Sequence, residues 1–348
     1  SSASYTFENL FRTYKEWMGN IYSDTKSDAT YFISQMGYEA LPKEMIDTTI
    51  IEEAQNGGQS HSSFLREYCA QFTDGSDSYF SAKKMHECTI PDGEEPTTLI
   101  KGKSGAKYVL AIDPSFSNSP SSDYFAMAIM ELDENRQEAI LVHNYAVAGG
   151  DLKDHIKYLS YVFSNFDIVM TVIDNAGYQF LDSANEHKLF LDNRINLKFL
   201  DFESEKDGVE YDKQLIKLKR QYNKEDYKIC FKQNFSSDFI RKANEHLQAC
   251  IDHKKIWFAS RSTANGSVFN RQSSSHINLK LVNEENVGEF IEVQDSLMHQ
   301  VKKQCALVEV RTTPRGSQTF DLPHHLKRST SASRARKDNY TTLMLATW

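Results

Sequence analysis

The sequence predicts an α/β fold built on a mixed β-sheet, and three observations support that prediction. Apolar runs at residues 108–112, 124–132 and 139–147 have the length of buried strands, and short connections between them favour an antiparallel arrangement. Apolar residues then recur at helical spacing over 152–166. A further apolar run at 168–173 predicts a fourth strand, so the order is strand, strand, strand, helix, strand, which is typical of a mixed sheet flanked by helices.

The rest of the chain continues the same α/β pattern. One more strand is predicted at residues 197–202. Helical periodicity recurs in five further segments, which are residues 178–187, 212–222, 239–252, 284–307 and 341–348.

Composition excludes several classes of protein. The chain has 348 residues, of which 40% are hydrophobic and 25% charged, which is the profile of a globular protein rather than a disordered or fibrous one. No apolar run is long enough to span a membrane, so no membrane association is expected. The five cysteines are odd in number and never form a CxxC pair, which argues against a disulfide framework and a structural zinc site.

The first hundred residues differ in texture from the remainder. Residues 1–100 are aromatic and acidic, with turn-rich interruptions at 56–63 and 73–78, and they predict a helix- and loop-rich segment. The glycines in residues 102–105 mark the boundary to a second domain over 101–348. Neither this GKSG sequence nor any other matches a P-loop, so no ATP hydrolysis is expected from this chain.

The net charge of −8 hides two basic segments. One spans residues 213–228 and reads equally well as a solvated helix face. The other, at 322–337, contains no acidic residue and suits contact with phosphate groups. Its basic residues are Lys327, Arg328, Arg334, Arg336 and Lys337. His324 and His325 lie in the same segment, but paired loop histidines are more often simply exposed, so neither is assigned a catalytic role.

Two aspartates stand directly at the ends of predicted strands. Asp113 ends YVLAID and Asp174 ends IVMTVID. A carboxylate in that position is held rigidly at a sheet edge, beside the crevice where α/β proteins bind ligands. If the strands are neighbours, their like charges converge, and a hard divalent cation such as Mg²⁺ or Mn²⁺ offsets the repulsion more readily than zinc does. The alternative is that each aspartate caps a turn or helix.

Two further aspartates are weaker candidates. Asp338 follows the basic segment and precedes the last predicted helix, where an aspartate is commonly an N-cap. Its basic neighbours favour a second interpretation, in which it lies where a phosphate backbone arrives. Asp123 precedes the second predicted strand and is an accessory candidate.

The order of these motifs resembles the nuclease domain of the terminase large subunits of bacteriophages, which has a ribonuclease H-like fold. The matching segments are AIDPSFSNSPSSDYFAMAI, VIDNAG and RKDNYTTLMLA, and residues 64–81 are similar to the stretch that joins motor and nuclease in that family. The resemblance implies that Asp113, Asp174 and Asp338 bind metal and are catalytic, with Asp123 as an accessory metal ligand. It also implies that residues 1–100 are the tail of an ATPase motor and a linker.

The same resemblance implies a function. It is a metal-dependent endodeoxyribonuclease that cuts concatemeric viral double-stranded DNA during genome packaging, by two-metal hydrolysis with Mg²⁺ or Mn²⁺. The partners implied are duplex DNA, the portal protein and the small terminase subunit, in the host cytoplasm. DNA contacts are expected mainly at phosphates, through the basic residues of 322–337.

Two alternatives remain open from the sequence. One is another ribonuclease H-like enzyme of the resolvase or transposase type, which would use the same carboxylates on a different DNA. The other is a viral assembly module without enzymatic activity, in which the aspartates are only caps.

Overall fold

The computed structural model describes most of the chain and all four candidate aspartates. The described residues are 3, 9–23, 31–51, 61–73, 78–117, 119, 121–202, 227–261, 287–312, 318–323, 326 and 335–348.

A seven-stranded mixed sheet forms the centre of the fold, in the order β5-β6-β4-β1-β2-β3-β7. Its strands are β1 Lys107–Asp113, β2 Tyr124–Asp133, β3 Glu138–Ala148, β4 Ile168–Asp174, β5 Leu197–Phe202, β6 Lys228–Gln233 and β7 Ile256–Phe258. A separate hairpin consists of β8 Glu309–Thr312 and β9 Gln318–Asp321. The predicted α/β class with a mixed sheet is therefore confirmed.

Nine α-helices in the described part of the chain accompany the sheet. They are α1 Asn9–Tyr22, α2 His61–Glu67, α3 Ala82–Glu87, α4 Leu152–Asn165, α5 Gln179–Glu186, α6 Lys188–Asp192, α7 Ser237–Asp252, α8 Val287–Ala306 and α9 Asp338–Thr347. Phe125 of β2 stacks on His155 of α4 and contacts Phe180 of α5, so these two helices cover one face. Helix α9 lies over β1 and β2 on the opposite face.

Strand directions bring several strand ends to one edge of the sheet. Strands β1, β4, β6 and β5 are parallel to their neighbours, while β2 is antiparallel to β1. The carboxyl ends of the four parallel strands therefore meet the beginning of β2 at a single edge, which we call the sheet rim. Buried apolar side chains along β1, such as Leu110 and Ile112, fix this register because a shift by one residue would move them to the opposite face of the sheet and disrupt the packing on both faces.

The folded unit around the sheet begins before residue 101. Phe80, Met85 and Cys88 are buried in the same core as the strands. Thr89 forms a parallel bridge to Phe258, the last residue of β7, and Thr97 forms one to Ser260, which lies beyond β7. The boundary at residue 101 stays a prediction, and residues from Phe80 onward already pack against the sheet. Residues before 73 contain α1 and α2, in keeping with the expected helix- and loop-rich segment.

The structure confirms some elements predicted from sequence and adds others. Helices and strands were found at each predicted position that the structure describes, with β5 matching its predicted bounds. The predicted helix at 212–222 lies outside the described residues. Strands β6, β7, β8 and β9 were missed, because each is a short segment without a clear apolar alternation of its own. All five cysteines are free, as expected.

None of the helices in the described part of the chain combines the length and the apolar character that crossing a membrane requires.

A buried glutamine joins helix α8 to strand β3 where β7 stops. Strand β7 pairs with β3 only at residues 139–141, so farther along β3 its outer backbone groups need another partner. Gln294 supplies one, because its side chain accepts from the Asn144 amide and donates to the Asn144 carbonyl, both at 2.8 Å. Gln294 is 1% exposed, so water cannot replace these bonds without repacking.

We expect Gln294→Met to lower the free energy of unfolding by about 1–3 kcal/mol for each backbone group of Asn144 left unpaired. The measurement is urea unfolding of the full chain. Met298→Leu, a conservative change in the same helix, is the control and should cost less than about 1.5 kcal/mol. Equal effects of the two variants would mean that packing of α8, and not the hydrogen bonds, carries the stability.

Candidate metal centre

Asp113 and Asp174 stand side by side at the sheet rim. Strands β1 and β4 are adjacent and parallel, and the pair Ile112–Ile173 precedes the two aspartates directly. Side chains alternate between the faces of a sheet, so both aspartates project from the same face, and neighbouring strands lie about 4.8 Å apart. The predicted convergence of two strand-end carboxylates is thus built into the strand register.

Asp338 reaches the same rim from the other end of the sequence. It is the first residue of α9, and its Oδ2 accepts a hydrogen bond of 2.7 Å from the backbone amide of Tyr124, at the start of β2. The N-cap of α9 is Lys337, which makes no side-chain capping bond. Asp338 is 8% exposed. Its carboxylate therefore ties the helix to the rim, in contrast to the simple N-cap considered from sequence.

The charges of Asp174 and Asp338 act on Asp113. Burial raises the pKa of Asp113 well above its ordinary value, and the negative charges of Asp338 and Asp174 raise it further. A hydrogen bond with Thr341, one turn into α9, and the charge of Lys337 act in the opposite direction. Asp113 therefore lies between the other two carboxylates, and the negative charge of each acts on it.

The other two carboxylates are also harder to ionise than usual. Burial raises the pKa of Asp338 to about 6, against the opposing effect of the Tyr124 amide. Burial likewise raises the pKa of Asp174, and the amide of Ala176, which donates to its Oδ1 at 3.1 Å, lowers it. Asp174 thus caps the short 3₁₀-helix Asn175–Gly177, as the alternative interpretation expected, while it remains part of the rim.

Asp123 lies beside Asp338 rather than beside the strand-end pair. Its negative charge contributes to the raised pKa of Asp338, and it is not among the groups that shift Asp113. Asp123 is exposed, in the segment that leads into β2. If it has an accessory role, that role is at the Asp338 side of the rim.

A close contact between two turns fixes the distance between β1 and β4 at the rim. Pro114 follows Asp113, and Gly177 ends the turn after Asp174. A Cβ atom on Gly177 would overlap the ring of Pro114, whose own Cβ lies 2.9 Å from that position. Only glycine lets the two turns approach this closely, and the contact holds the two carboxylates together.

Arg336 braces the segment that holds Asp338. Its Nε donates to the Ser122 carbonyl at 2.7 Å, and its guanidinium lies over the Tyr124 ring, 4.5 Å from the ring centroid. Arg336 is 7% exposed. The prediction that Arg336 contacts DNA phosphates therefore needs correction, because burial and the chain's own acceptors occupy this side chain. Its charge also lowers the pKa of Asp338.

Lys337 is the predicted phosphate-contacting residue that the structure leaves accessible near the rim. Its side chain is 40% exposed, its Nζ lies 3.3 Å from an oxygen of Asp321, and its charge acts on Asp113. The remaining residues of the basic segment, Lys327, Arg328 and Arg334, lie outside the described residues, as do His324 and His325.

The donor set suits hard divalent cations that retain much of their water. Among the described residues, no group of three or more His, Cys, Asp or Glu side chains is arranged so that it could hold a metal ion by itself. Mg²⁺ commonly binds through one or two carboxylates, with water and substrate phosphate completing its shell. The pairs Asp113–Asp174 and Asp113–Asp338 fit that requirement, and a cation there would offset the repulsion that raises the pKa of Asp113.

Sequence reasoning missed three residues that shape the rim. Gly177 was visible only as part of an ordinary turn, and Tyr124 only as the start of a strand. Gln233 ends β6, two residues after the short apolar run of residues 229–231, which was the signal available for it.

Comparison with known proteins gives a likeness in fold. No protein-family model matches the sequence, and no curated protein matches it. The chain is similar to the large terminase nuclease from thermophilic phage G20c, with 12% identity and a TM-score of 0.41 over 78% of this chain and 97% of that one. Structures of that nuclease with bound magnesium and with bound cobalt match this chain with TM-scores of 0.40.

Two other phage proteins show the same likeness. The large terminase nuclease domain of Thermus phage P74-26 has 12% identity and a TM-score of 0.39 over 77% of this chain and 93% of that one. The HK97 bacteriophage large terminase has 11% identity and a TM-score of 0.41 over 89% of this chain. This chain covers 52% of the HK97 protein.

The raised pKa of Asp338 predicts that the metal-free protein loses stability as pH rises. Folding raises this pKa from an ordinary 3.8 to about 6, so between these pH values the folded state retains a proton that the unfolded state releases. We expect Asp338→Asn to match the wild type near pH 4 and to be more stable by about 3 kcal/mol at pH 7. Urea unfolding in the presence of a chelator measures this difference. An unchanged difference at the two pH values would contradict it.

The contact between Gly177 and Pro114 predicts a rescue. We expect Gly177→Ala to lower the free energy of unfolding by about 1–3 kcal/mol, because the added methyl group forces the two turns apart. Pro114→Ala in the same chain removes the atoms that the methyl group meets and should restore part of that loss. A double-mutant cycle measures the coupling. Additive effects of the two substitutions would show that the turns are not in contact.

Proposed function

We propose that the protein is a metal-dependent endonuclease that hydrolyses phosphodiester bonds of double-stranded DNA. The observation that carries the proposal is the convergence at one sheet rim of Asp113, Asp174 and Asp338, which are remote in sequence. Burial raises the pKa of all three, and the charges of the other two raise that of Asp113 further. A scaffold that only needed stability would not gather uncompensated carboxylates in a half-buried place. Binding of cations and phosphate gives the arrangement a use.

Asp113 is the natural bridging residue of such a site. It lies between Asp174 and Asp338, so its carboxylate could bind one cation on the side of each. Two bound Mg²⁺ or Mn²⁺ ions would supply an activated water and stabilise the charge on the leaving oxygen. The residues themselves hold these positions rigidly, because two are on strand ends and the third is on a helix docked against the sheet.

Backbone amides orient the two outer carboxylates. The amide of Tyr124 occupies Oδ2 of Asp338, and the amide of Ala176 occupies Oδ1 of Asp174. The backbone amide of Asp338 also bonds its own carboxylate, and lone pairs of both side chains would face the cations. Hydrogen bonds of this kind fix the orientation of metal-ligating side chains.

DNA would reach the rim through contacts to its phosphates. The exposed side chain of Lys337 is near Asp113, and the basic segment at 322–337 continues from it. Such contacts are independent of base sequence and weaken steeply with salt. We further propose that the substrate is concatemeric viral DNA, cut during genome packaging, with the portal protein and the small terminase subunit as partners.

We expect the wild-type chain to nick supercoiled plasmid in Mg²⁺ or Mn²⁺ and to lose this activity in the presence of a chelator. Asp174→Ala should reduce the nicking rate by more than about 100-fold, because removing even an outer-shell partner of a metal commonly costs 10–100-fold. Gel analysis of plasmid forms over time gives the rates.

Asp182→Asn is the matched control, since Asp182 is an exposed aspartate on α5 and is not part of the three aspartate motifs that form the sheet rim. It should leave the nicking rate unchanged. Full activity of Asp174→Ala, or activity that persists in chelator, would sink the proposal. A strong preference for four-way junctions over plasmid would instead favour the resolvase alternative, and no nicking under any of these conditions would favour the assembly module.

A further inference from the structure

Gln233 occupies the place beside Asp174 at the sheet rim. It is the last residue of β6, which runs parallel to β4, and the two residues are paired directly in the strand register. Paired residues on parallel neighbouring strands project from the same face and lie about 4.8 Å apart. Asp113, Asp174 and Gln233 therefore form a row across β1, β4 and β6, on the face that carries α9.

The side chain of Gln233 is buried and held in one orientation. Gln233 is 6% exposed, and its Nε2 donates to the carbonyl of Asn234 at 3.0 Å. Within the described part of the chain, its carboxamide oxygen has no hydrogen-bond partner. This oxygen is not among the fully buried atoms without a partner, so it is open at the rim and can accept from or bind a ligand beside the two carboxylates.

The chemistry of a carboxamide suits this position. A third carboxylate in the row would add to the negative charge that already raises the pKa of Asp113. A glutamine supplies a hard oxygen atom without adding charge, and such oxygens are ordinary ligands of divalent cations.

We propose that Gln233 contributes a neutral oxygen to the cation held at Asp174. This inference rests on the proposed function, since it requires that Asp174 holds a divalent cation. It assigns to β6 a direct part in the site, in addition to its part in the sheet.

Calorimetric titration of Mn²⁺ into the full chain, without DNA, tests the assignment. We expect Gln233→Leu to weaken Mn²⁺ binding by about 10-fold or more. The substitution also removes the hydrogen bond from Nε2 to the Asn234 carbonyl, so its unfolding midpoint in chelator should fall somewhat, and the Mn²⁺ affinities are compared at a temperature at which both proteins are folded. Gln233→Glu should bind Mn²⁺ more tightly than Gln233→Leu and unfold more readily in chelator, since it adds a negative charge to the row.

Phe231→Leu is the matched control. Phe231 lies on the same face of β6, one pair of residues before Gln233 and away from the strand end. It should lower stability and leave Mn²⁺ affinity unchanged. Equal weakening by Phe231→Leu and Gln233→Leu would overturn the assignment, because general packing would then explain both.

The outcomes separate this inference from the proposed function. If the wild type binds Mn²⁺, Asp113→Asn abolishes binding and Gln233→Leu binds as the wild type does, then only the assignment of Gln233 fails. If the wild type binds no Mn²⁺, the proposed function fails first. Should Gln233→Leu not fold, Gln233→Met, which also lacks the oxygen, takes its place, and an affinity of Gln233→Met equal to that of the wild type would equally overturn the assignment.

Discussion

The hydrogen bond between the Tyr124 amide and Asp338 is the interaction on which the candidate site depends. It joins residues 214 positions apart and docks the first turn of α9 at the start of β2. The strand-end pair, Asp113 and Asp174, comes from strand register alone and would exist without it. Asp338 would not be held at the rim without it, because no strand pairing connects α9 to the sheet. One backbone amide, oriented by an antiparallel strand, therefore completes the site.

Holding like charges together requires a rigid surrounding. At this rim the rigidity comes from three independent sources, which are the ladder between β1 and β4, the contact of Pro114 with Gly177, and the packing of Arg336 on Tyr124. None of them neutralises the carboxylates fully. The scaffold thus keeps the charges close at a cost in stability, as is common where binding sites are preorganised.

The sequence predicted the central strands and their terminal aspartates because long apolar runs stop abruptly at a charged residue. Strand β6 escaped prediction, since Lys228 and Lys232 in six residues look like a solvated face and the strand forms only by pairing with β4. The burial of Arg336 could not be predicted from sequence for a related reason. Its charge is indistinguishable in sequence from that of Lys337, and its burial depends on the ring of Tyr124, far away along the chain. The local pattern of apolar residues predicts a helix or strand, whereas the partner of a charged side chain depends on the tertiary fold.

The antiparallel direction of β2 has a consequence for the connection between β1 and β2. Because β1 ends and β2 begins at the same edge, residues 114–123 leave the carboxylates and return to them without crossing the sheet. Both anchors of this connection are fixed, at Pro114 and at Ser122. Its middle can therefore lengthen or change composition in related chains without moving any carboxylate, which makes it the segment where evolution can alter access to the rim while the chemistry beneath stays constant.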